Sequence, residues 1–321
     1  MKQIQAPHFV PHRQVVLGVV AIGMFCIGLG CRNASEQVAT APERGGPVAR
    51  SECCSPTGQQ SVELSAVQAV PQEHLGYSLA ASENTIAVGA KDSSRTGLFQ
   101  SGAVIVFDRS GDSDWRQSDV LTPRDAEAGD HFGFSVALSG TFLAVGAPFG
   151  TTSGVNTGVV HVFSRASNGR WVEVESLRSP YGGAFELFGY SIAMEGDRMV
   201  VGALQAGPEQ HGAAFVYARG TSGWQLEAIL QASDGAPFAK LGSSVAISGN
   251  KILVGAMSDG QLAPASGAAY VFQRDDFGWS QKAKLVAEDG ARSDFFGFST
   301  ALAQDTAVIG TYLKKNMAGS A

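Results

Sequence analysis

Cysteine is scarce in this chain: there are 4 in 321 residues, Cys26, Cys31, Cys53 and Cys54. Adjacent cysteines such as Cys53 and Cys54 rarely bond to each other, and neither has a histidine at zinc-ligand spacing, so no zinc motif is present. A bonded pair or an intermolecular link stays open in an oxidising compartment. Basic runs are missing too. Only Lys2 and Arg13 precede Cys31, so the chain from Cys31 onward sets 21 basic side chains against 29 acidic ones, a net charge near −8. Such a surface does not attract nucleic acid or anionic headgroups, and nucleic-acid binding is excluded as a function. No Gly-x-Ser-x-Gly elbow, phosphate loop or dinucleotide fingerprint occurs, which removes the enzyme classes those motifs serve. After residue 60 no window of ten residues reads as a helix.

What the chain does have is repetition. Gly-x-Ser, followed by Val/Ile-Gly-Ala/Thr thirteen residues after its glycine, is written five times. The first glycines are Gly76, Gly133, Gly189, Gly242 and Gly297; the second are Gly89, Gly146, Gly202, Gly255 and Gly310. The period is 53 to 57 residues. A fixed period of this size marks modules that cannot bury their own apolar surface and must stack on their neighbours. A polar loop of variable length follows each second glycine. Then come Gly102-Ala-Val-Ile-Val-Phe107 and its counterparts from Gly158, Gly212 and Gly267, and twelve or thirteen residues past each glycine stand Trp115, Trp171, Trp224 and Trp279. Leu121, Leu177, Leu230 and Leu285 close the modules.

In the second module the apolar runs are Phe134–Leu138, Phe142–Ala147, Gly158–Phe163 and Trp171–Leu177. Short runs of Val, Ile and aromatics cut by Gly, Asp, Asn and Ser predict strands. Four antiparallel strands per module, repeated radially, predict an all-β fold: a β-propeller of four-stranded antiparallel blades, four complete and one incomplete. Phe132, Phe134, Phe188, Tyr190, Phe296 and Phe298 flank the first glycines and are expected to fill the wedge between sheets. Phe132-Gly-Phe-Ser-Val-Ala137 with Val145-Gly-Ala-Pro148, Phe188-Gly-Tyr-Ser191 with Val201-Gly-Ala203, and Phe296-Gly-Phe-Ser299 with Ile309-Gly-Thr311 resemble the FG-GAP repeats of integrin alpha-subunit propellers and of many bacterial exported proteins. Leu75, Leu241 and Ser243 depart from the pattern. The resemblance spans residues 61 to 321 and implies the fold; for activity it implies little, since the family serves adhesion, ligand binding and enzymatic contexts.

Integrin-type repeats often hold calcium in a loop with oxygen ligands at alternate positions. The equivalent loops here, Lys91–Ser101, Pro148–Thr157, Leu204–His211 and Met257–Ser266, lack Asp-x-Asp-x-Asp-Gly, with Asp92 and Asp259 standing alone. Calcium is therefore disfavoured, and no cofactor or metal is expected. Asp125, Asp234 and Asp289 recur four residues after the closing leucines as turn formers. Glu73, Asp130, Glu186 and Asp294 recur three residues before the first glycine; at the start of an inner strand they would form a broken acidic ring at one channel mouth, able to hold a cation or a positively charged partner. Rim solvation or turn capping is the plainer use of the same residues. Among the histidines, His74 and His131 share one repeat position, His161 lies in a strand pattern and His211 on a loop. Ser78, Ser135, Ser191, Ser244 and Ser299 recur and read as structural hydroxyls, so no catalytic residue is assigned.

Residues 1–30 read as an export signal: a basic start, then the apolar stretch Val15–Gly30 ending at Cys31, short of the ~20 residues of a full span. Leu29-Gly30-Cys31 resembles a bacterial lipobox, which would make Cys31 the lipidation site; plain secretion or a retained anchor is the alternative. Residues 31–58 are a Ser/Ala/Gly/Pro-rich linker. Residues 59–321 are the propeller, with repeats at about 74–130, 131–186, 187–239, 240–294 and 295–321. Leu64 lies in phase with the closing leucines, so residues 59 to 65 are expected to act as a fourth strand that closes the ring on the last blade. The fifth repeat stops before its third strand, which points to a truncated chain or to a ring completed by a partner or second copy. The function expected is a non-enzymatic binding or adhesion propeller at the cell surface or envelope, offering variable loops to an extracellular protein or glycan. The alternatives are an exported hydrolase or accessory domain acting on glycans or phospholipids, and a structural component of envelope assembly.

Overall fold

A computed structural model describes residues 63–111, 114–151 and 155–314. The basic-apolar leader, Cys31, the linker, Cys53 and Cys54 and the final residues after Lys314 lie outside the described residues. The first blade is β1 (Leu75–Ala81), β2 (Thr85–Ala90), β3 (Ala103–Ser110) and β4 (Asp114–Leu121). The second is β5 (Ser135–Ser139), β6 (Phe142–Ala147), β7 (Val159–Arg165) and β8 (Trp171–Leu177). The third is β9 (Phe188–Glu195), β10 (Arg198–Ala203), β11 (Ala213–Gly220) and β12 (Gly223–Leu230), and the fourth β13 (Leu241–Ser248), β14 (Lys251–Ala256), β15 (Ala268–Asp275) and β16 (Gly278–Leu285). β17 (Ser299–Ala303) and β18 (Thr306–Gly310) form a two-stranded sheet, the incomplete fifth blade. Every sheet is an antiparallel meander in chain order. The first strands contact one another in the series β1, β5, β9, β13, β17, as blades radiating from an axis require.

Each blade's second and third strands carry the burial, because Val, Ile and Ala on both faces meet a neighbouring blade. β2 (Thr-Ile-Ala-Val-Gly-Ala) is buried along its whole length, whereas outer β8 alternates from exposed to buried. The apolar clusters fall between blades. Phe132, Leu143 and Val145 of the second blade pack with Ala87, Val104 and Leu121 of the first. Phe188, Phe215 and Trp224 of the third pack with Val160, Val162 and Leu177 of the second. Tyr270 and Leu241 of the fourth pack with Val216 and Leu230 of the third. No blade is a core by itself; the seam is the core.

At each seam the paired glycines meet. A Cβ on Gly146 would lie 2.1 Å from the Gly189 carbonyl oxygen, and one on Gly255 2.0 Å from that of Gly297. The recurring serines fasten the same place: Ser78 Oγ donates to the Gly133 carbonyl at 2.7 Å, Ser135 to Gly189 at 2.7 Å, Ser191 to Gly242 at 2.8 Å and Ser244 to Gly297 at 2.9 Å. The hydroxyls are structural, as their repetition implies. Gly310 differs, for a Cβ there would meet only its own blade's Ser299.

The flanking rings divide into two groups. Phe132 and Phe188, before the glycine, are fully buried wedges. Those after it form a half-buried ladder along the first strands: Tyr77 to Phe134 at 5.0 Å and Phe134 to Tyr190 at 4.9 Å between centroids. Ser243 interrupts that ladder. The wedge role thus belongs to only one of the two ring positions, because the glycine between them takes positive φ, 88° at Gly133 and 87° at Gly189, and breaks the alternation that would put residues two apart on one face.

Leu64 and Ala66 cover Ile86, Val88, Ile105 and Phe107 of the first blade, the place a preceding blade would take. Leu64 therefore meets the following blade as Leu121 and Leu177 do. Residues 63–66 are nevertheless not a strand, and their contacts are with the first blade. Among the described residues β17 and β18 pair only with each other.

Candidate functional site

In a meander, the loop between strands two and three and the connection leaving strand four share one face. Backbone bonds tie them together: Phe132 N to Ser101 O at 3.0 Å, Phe188 N to Thr157 O at 3.1 Å, Leu241 N to His211 O at 3.0 Å and Phe296 N to Ser266 O at 2.9 Å. This face gathers seven exposed large apolar side chains. Leu98, Phe99, Val155, Tyr181, Phe185, Phe238 and Leu262 all stand there, Phe99 71% and Phe238 61% exposed. On the opposite turns, among the described residues, only Phe277 is of this kind.

Glu73, Asp130, Glu186 and Asp294 lie beneath this face rather than at an open mouth, each only 3 to 6% exposed. Asp130 accepts from Glu127 N at 2.7 Å, Asp294 from Ala291 N at 2.8 Å, and Glu186 from Gly183 N. Glu73 instead takes a two-pronged contact from Arg95 at 2.9 and 3.1 Å. These carboxylates hold the turns that lead into the next first strand. His74 and His131 converge on Asp92: His131 Nδ1 is 2.8 Å from Oδ1, His74 bonds Oδ2, and Lys91 Nζ is 2.7 Å away. Burial alone would raise the Asp92 carboxyl, but its contacts, the Lys91 hydrogen bond foremost and then the His74 hydrogen bond, hold it below the ordinary range.

One register breaks the repeat's symmetry. Three residues after the third glycine stand Ile105, His161, Phe215 and Tyr270, paired across the sheet with Val120, Ser176, Ile229 and Lys284. The first and third blades are apolar there; the second and fourth are polar. In the fourth, Lys284 Nζ donates to Asp234 Oδ2 at 2.8 Å and Asp259 Oδ2 at 3.0 Å, and Tyr270 OH donates to Asp259 Oδ2 at 3.1 Å. Burial would depress the ammonium, yet Asp234, Tyr270 and Asp259 together lift it above the usual lysine range.

In the second blade the same place holds His161, almost wholly buried, with its Nδ1 2.7 Å from Glu173 Oε1 and 4.0 Å from Asp125 Oδ1. Ligand atoms of the three residues all lie within 4.8 Å of one another. Glu173 Oε2 accepts from Arg124 N at 3.1 Å, the service that Gln117 and Gln281 perform for Val67 N and Ser233 N in their blades. Burial would raise the Glu173 carboxyl, but the His161 contact leads the effects that lower it. Asp130 goes the other way: burial, then the nearby Glu127 and Asp125 charges, push it up against the Glu127 amide bond. Asp125, Glu127, Asp130 and His161 line a small cavity.

Sequence reasoning placed His161 in a strand and Asp125 in a turn, and passed over Glu173. The signal available was the substitution series itself, a histidine where sister modules have Ile, Phe and Tyr. Also passed over were Arg109, Arg165, Arg219 and Arg274, seven residues after each third glycine. Arg165 bonds Asp108 at 2.6 Å, Arg274 bonds Glu227 at 2.6 Å, and Arg219 lies 4.7 Å from the Phe142 ring, each reaching into the preceding blade.

Among the described residues no helix is long and apolar enough to cross a membrane. A family model described as FG-GAP repeat matches residues 115–163, 171–217, 224–272 and 279–321, more than half of the chain. Each matched unit opens at one of the four tryptophans, taking the outer strand of one blade and continuing into the next. No curated protein matches the chain.

Proposed function

The chain belongs to the FG-GAP repeat family, and we propose that it is a non-enzymatic binding propeller whose loop face recognises an extracellular or envelope protein or a glycan. The carrying observation is the gathering of Leu98, Phe99, Val155, Tyr181, Phe185, Phe238 and Leu262 on one face of a scaffold whose seams are otherwise constant. Exposed apolar patches rimmed by polar loops mark recognition surfaces, and loops on a rigid frame are where function concentrates. Phe99 and Phe238 offer the flat, low-entropy contacts that anchor interfaces or stack on sugar rings. The leader and Cys31 support an exported, lipid-anchored location with the propeller held off the membrane by residues 31–58. Full-length protein is screened against glycans and envelope proteins, and any ligand found is then tested against Phe99→Ala/Phe238→Ala. That double variant is expected to weaken binding at least about tenfold with an unchanged melting temperature. Ligand binding that survives it, or that maps to the Phe277 side, defeats the reading.

A further inference from the structure

We propose that Asp125, His161 and Glu173 form a binding site for one divalent transition-metal ion, with zinc the best fit. The site lies outside the four loops that correspond to the family's calcium positions. Zinc-binding and loop-face recognition are separable, so the failure of one leaves the other standing.

Donor chemistry comes first. One imidazole nitrogen and two carboxylate oxygens suit zinc and its neighbours, whereas calcium needs six to eight oxygens and finds too few here. Tetrahedral zinc with bonds of about 2.0 to 2.1 Å sets its ligand atoms roughly 3.3 Å apart. The His161–Glu173 separation of 2.7 Å and the His161–Asp125 separation of 4.0 Å bracket that value. Asp125 is about half exposed on the connection between β4 and β5, so its side chain is free to close the gap.

Two independent observations point to a ligand. Asp130 is 6% exposed and lines the same cavity, yet its Oδ1 has no hydrogen-bond partner among the described residues. Burying a carboxylate oxygen without a donor is costly, and a metal ion or a metal-bound water supplies the missing partner. The cavity measures about 10 Å³ for the centre of a water-sized sphere, which suits one water or one ion. The second observation is the fourth blade, where the equivalent acid-lined place is filled by the chain's own Lys284 ammonium. In the second blade the residue opposite His161 is Ser176, which brings no charge. Arg178 Nη2 lies 3.7 Å from Asp125 Oδ2, not on the Oδ1 that faces His161 Nδ1. The register is thus built for a cation in both blades, internal in one and external in the other.

On binding, the Nδ1 proton that neutral His161 donates to Glu173 Oε1 moves to Nε2 of the same ring, and the Nδ1 lone pair it leaves goes to the metal. Three protein donors leave a fourth position to water.

The test uses the full chain with Cys53→Ser and Cys54→Ser, stripped with chelator and titrated calorimetrically with Zn2+, Mn2+ and Ca2+. His161→Phe installs the residue of the third blade, and Glu173→Gln keeps the Arg124 acceptor as Gln117 does for Val67. One zinc per chain is expected, with calcium far weaker. Affinity should fall at least about 100-fold in His161→Phe and at least about tenfold in Glu173→Gln. X-ray absorption on the zinc-loaded protein should show one imidazole among oxygen ligands. No zinc bound at about 10 μM, a concentration well above the dissociation constants of structural zinc sites, or zinc bound equally by His161→Phe, overturns the proposal. Should His161→Phe fail to fold, Asp125→Asn at the exposed connection gives the same reading: unchanged zinc affinity there sinks it.

Discussion

The second and fourth blades share one backbone and one seam chemistry, but differ in what fills a single register. Ser135 and Ser244 each clasp the next blade's glycine carbonyl at 2.7 and 2.9 Å, while His161 faces Ser176 in one blade and Tyr270 faces Lys284 in the other. The contrast separates two jobs. Seam residues are constrained by backbone approach and cannot vary. The register behind the loop face is constrained only by charge balance, which can be met by apolar pairs, by an internal lysine or by a group from outside.

The largest expected effect breaks what the two blades have in common. Gly146→Ala and Gly255→Ala each drive a Cβ into a backbone oxygen about 2 Å away, and should cost about 3 to 4 kcal/mol in denaturant unfolding. Gly310→Ala, whose neighbour is the rotatable Ser299 hydroxyl, should stay within about 0.5 kcal/mol. Equal losses at all three positions would mean the seam is not where stability resides.

Lys284→Met removes the cation beneath the fourth blade's face and leaves Asp259, whose side chain is 2% exposed, with the Tyr270 hydroxyl and the Gln261 amide but no cation. A loss of about 3 kcal/mol is expected from stranding that charge. Adding Asp259→Asn should recover most of it, and a chemical-denaturation cycle over the two sites checks the coupling.

Acid sharpens the comparison. Asp92, Glu173 and Asp234 are held below their ordinary values, so their stabilisation is full above the unfolded carboxylate range of about 4 and is lost as pH falls through the lowered values. Lys284 is raised, so its contribution is full below the unfolded lysine value and fades as pH climbs through the raised one. Asp130, also raised, opposes the others: its ionised form is disfavoured in the folded state, and Asp130→Asn should raise the melting temperature slightly at pH 7. A melting-temperature profile of the metal-free chain from pH 3 to 11 should therefore fall at both ends, and Lys284→Met should flatten the alkaline side.

The regular part of this molecule was open to reading because repetition averages out local ambiguity. Phe142–Ala147 and Trp171–Leu177 were predicted strands and are β6 and β8 without a shift in bounds. The bends were less legible: His74, His131, Leu187, Lys240 and Phe295, two residues before each first glycine, all take positive φ between 49° and 59°. No glycine marks that position, because the turn is imposed by bonds such as Tyr77 N to His74 O and Phe298 N to Phe295 O. The polar register was hidden for another reason. Asp125, His161 and Glu173 come from a connection and two strands, and they meet only once cross-strand pairing fixes which side chains share a face.

Each family unit starts at a tryptophan and ends inside the following blade, so its borders fall away from the seams. A unit defined this way carries one clasp glycine and one clasp serine, each paired with a neighbouring repeat, as Ser135 of the first unit is with Gly189 of the second. Duplicating or deleting such a unit in the gene rejoins one unit's serine to an equivalent glycine in the next. Arrays of different length can therefore arise by recombination without a surface ever having to evolve a new match.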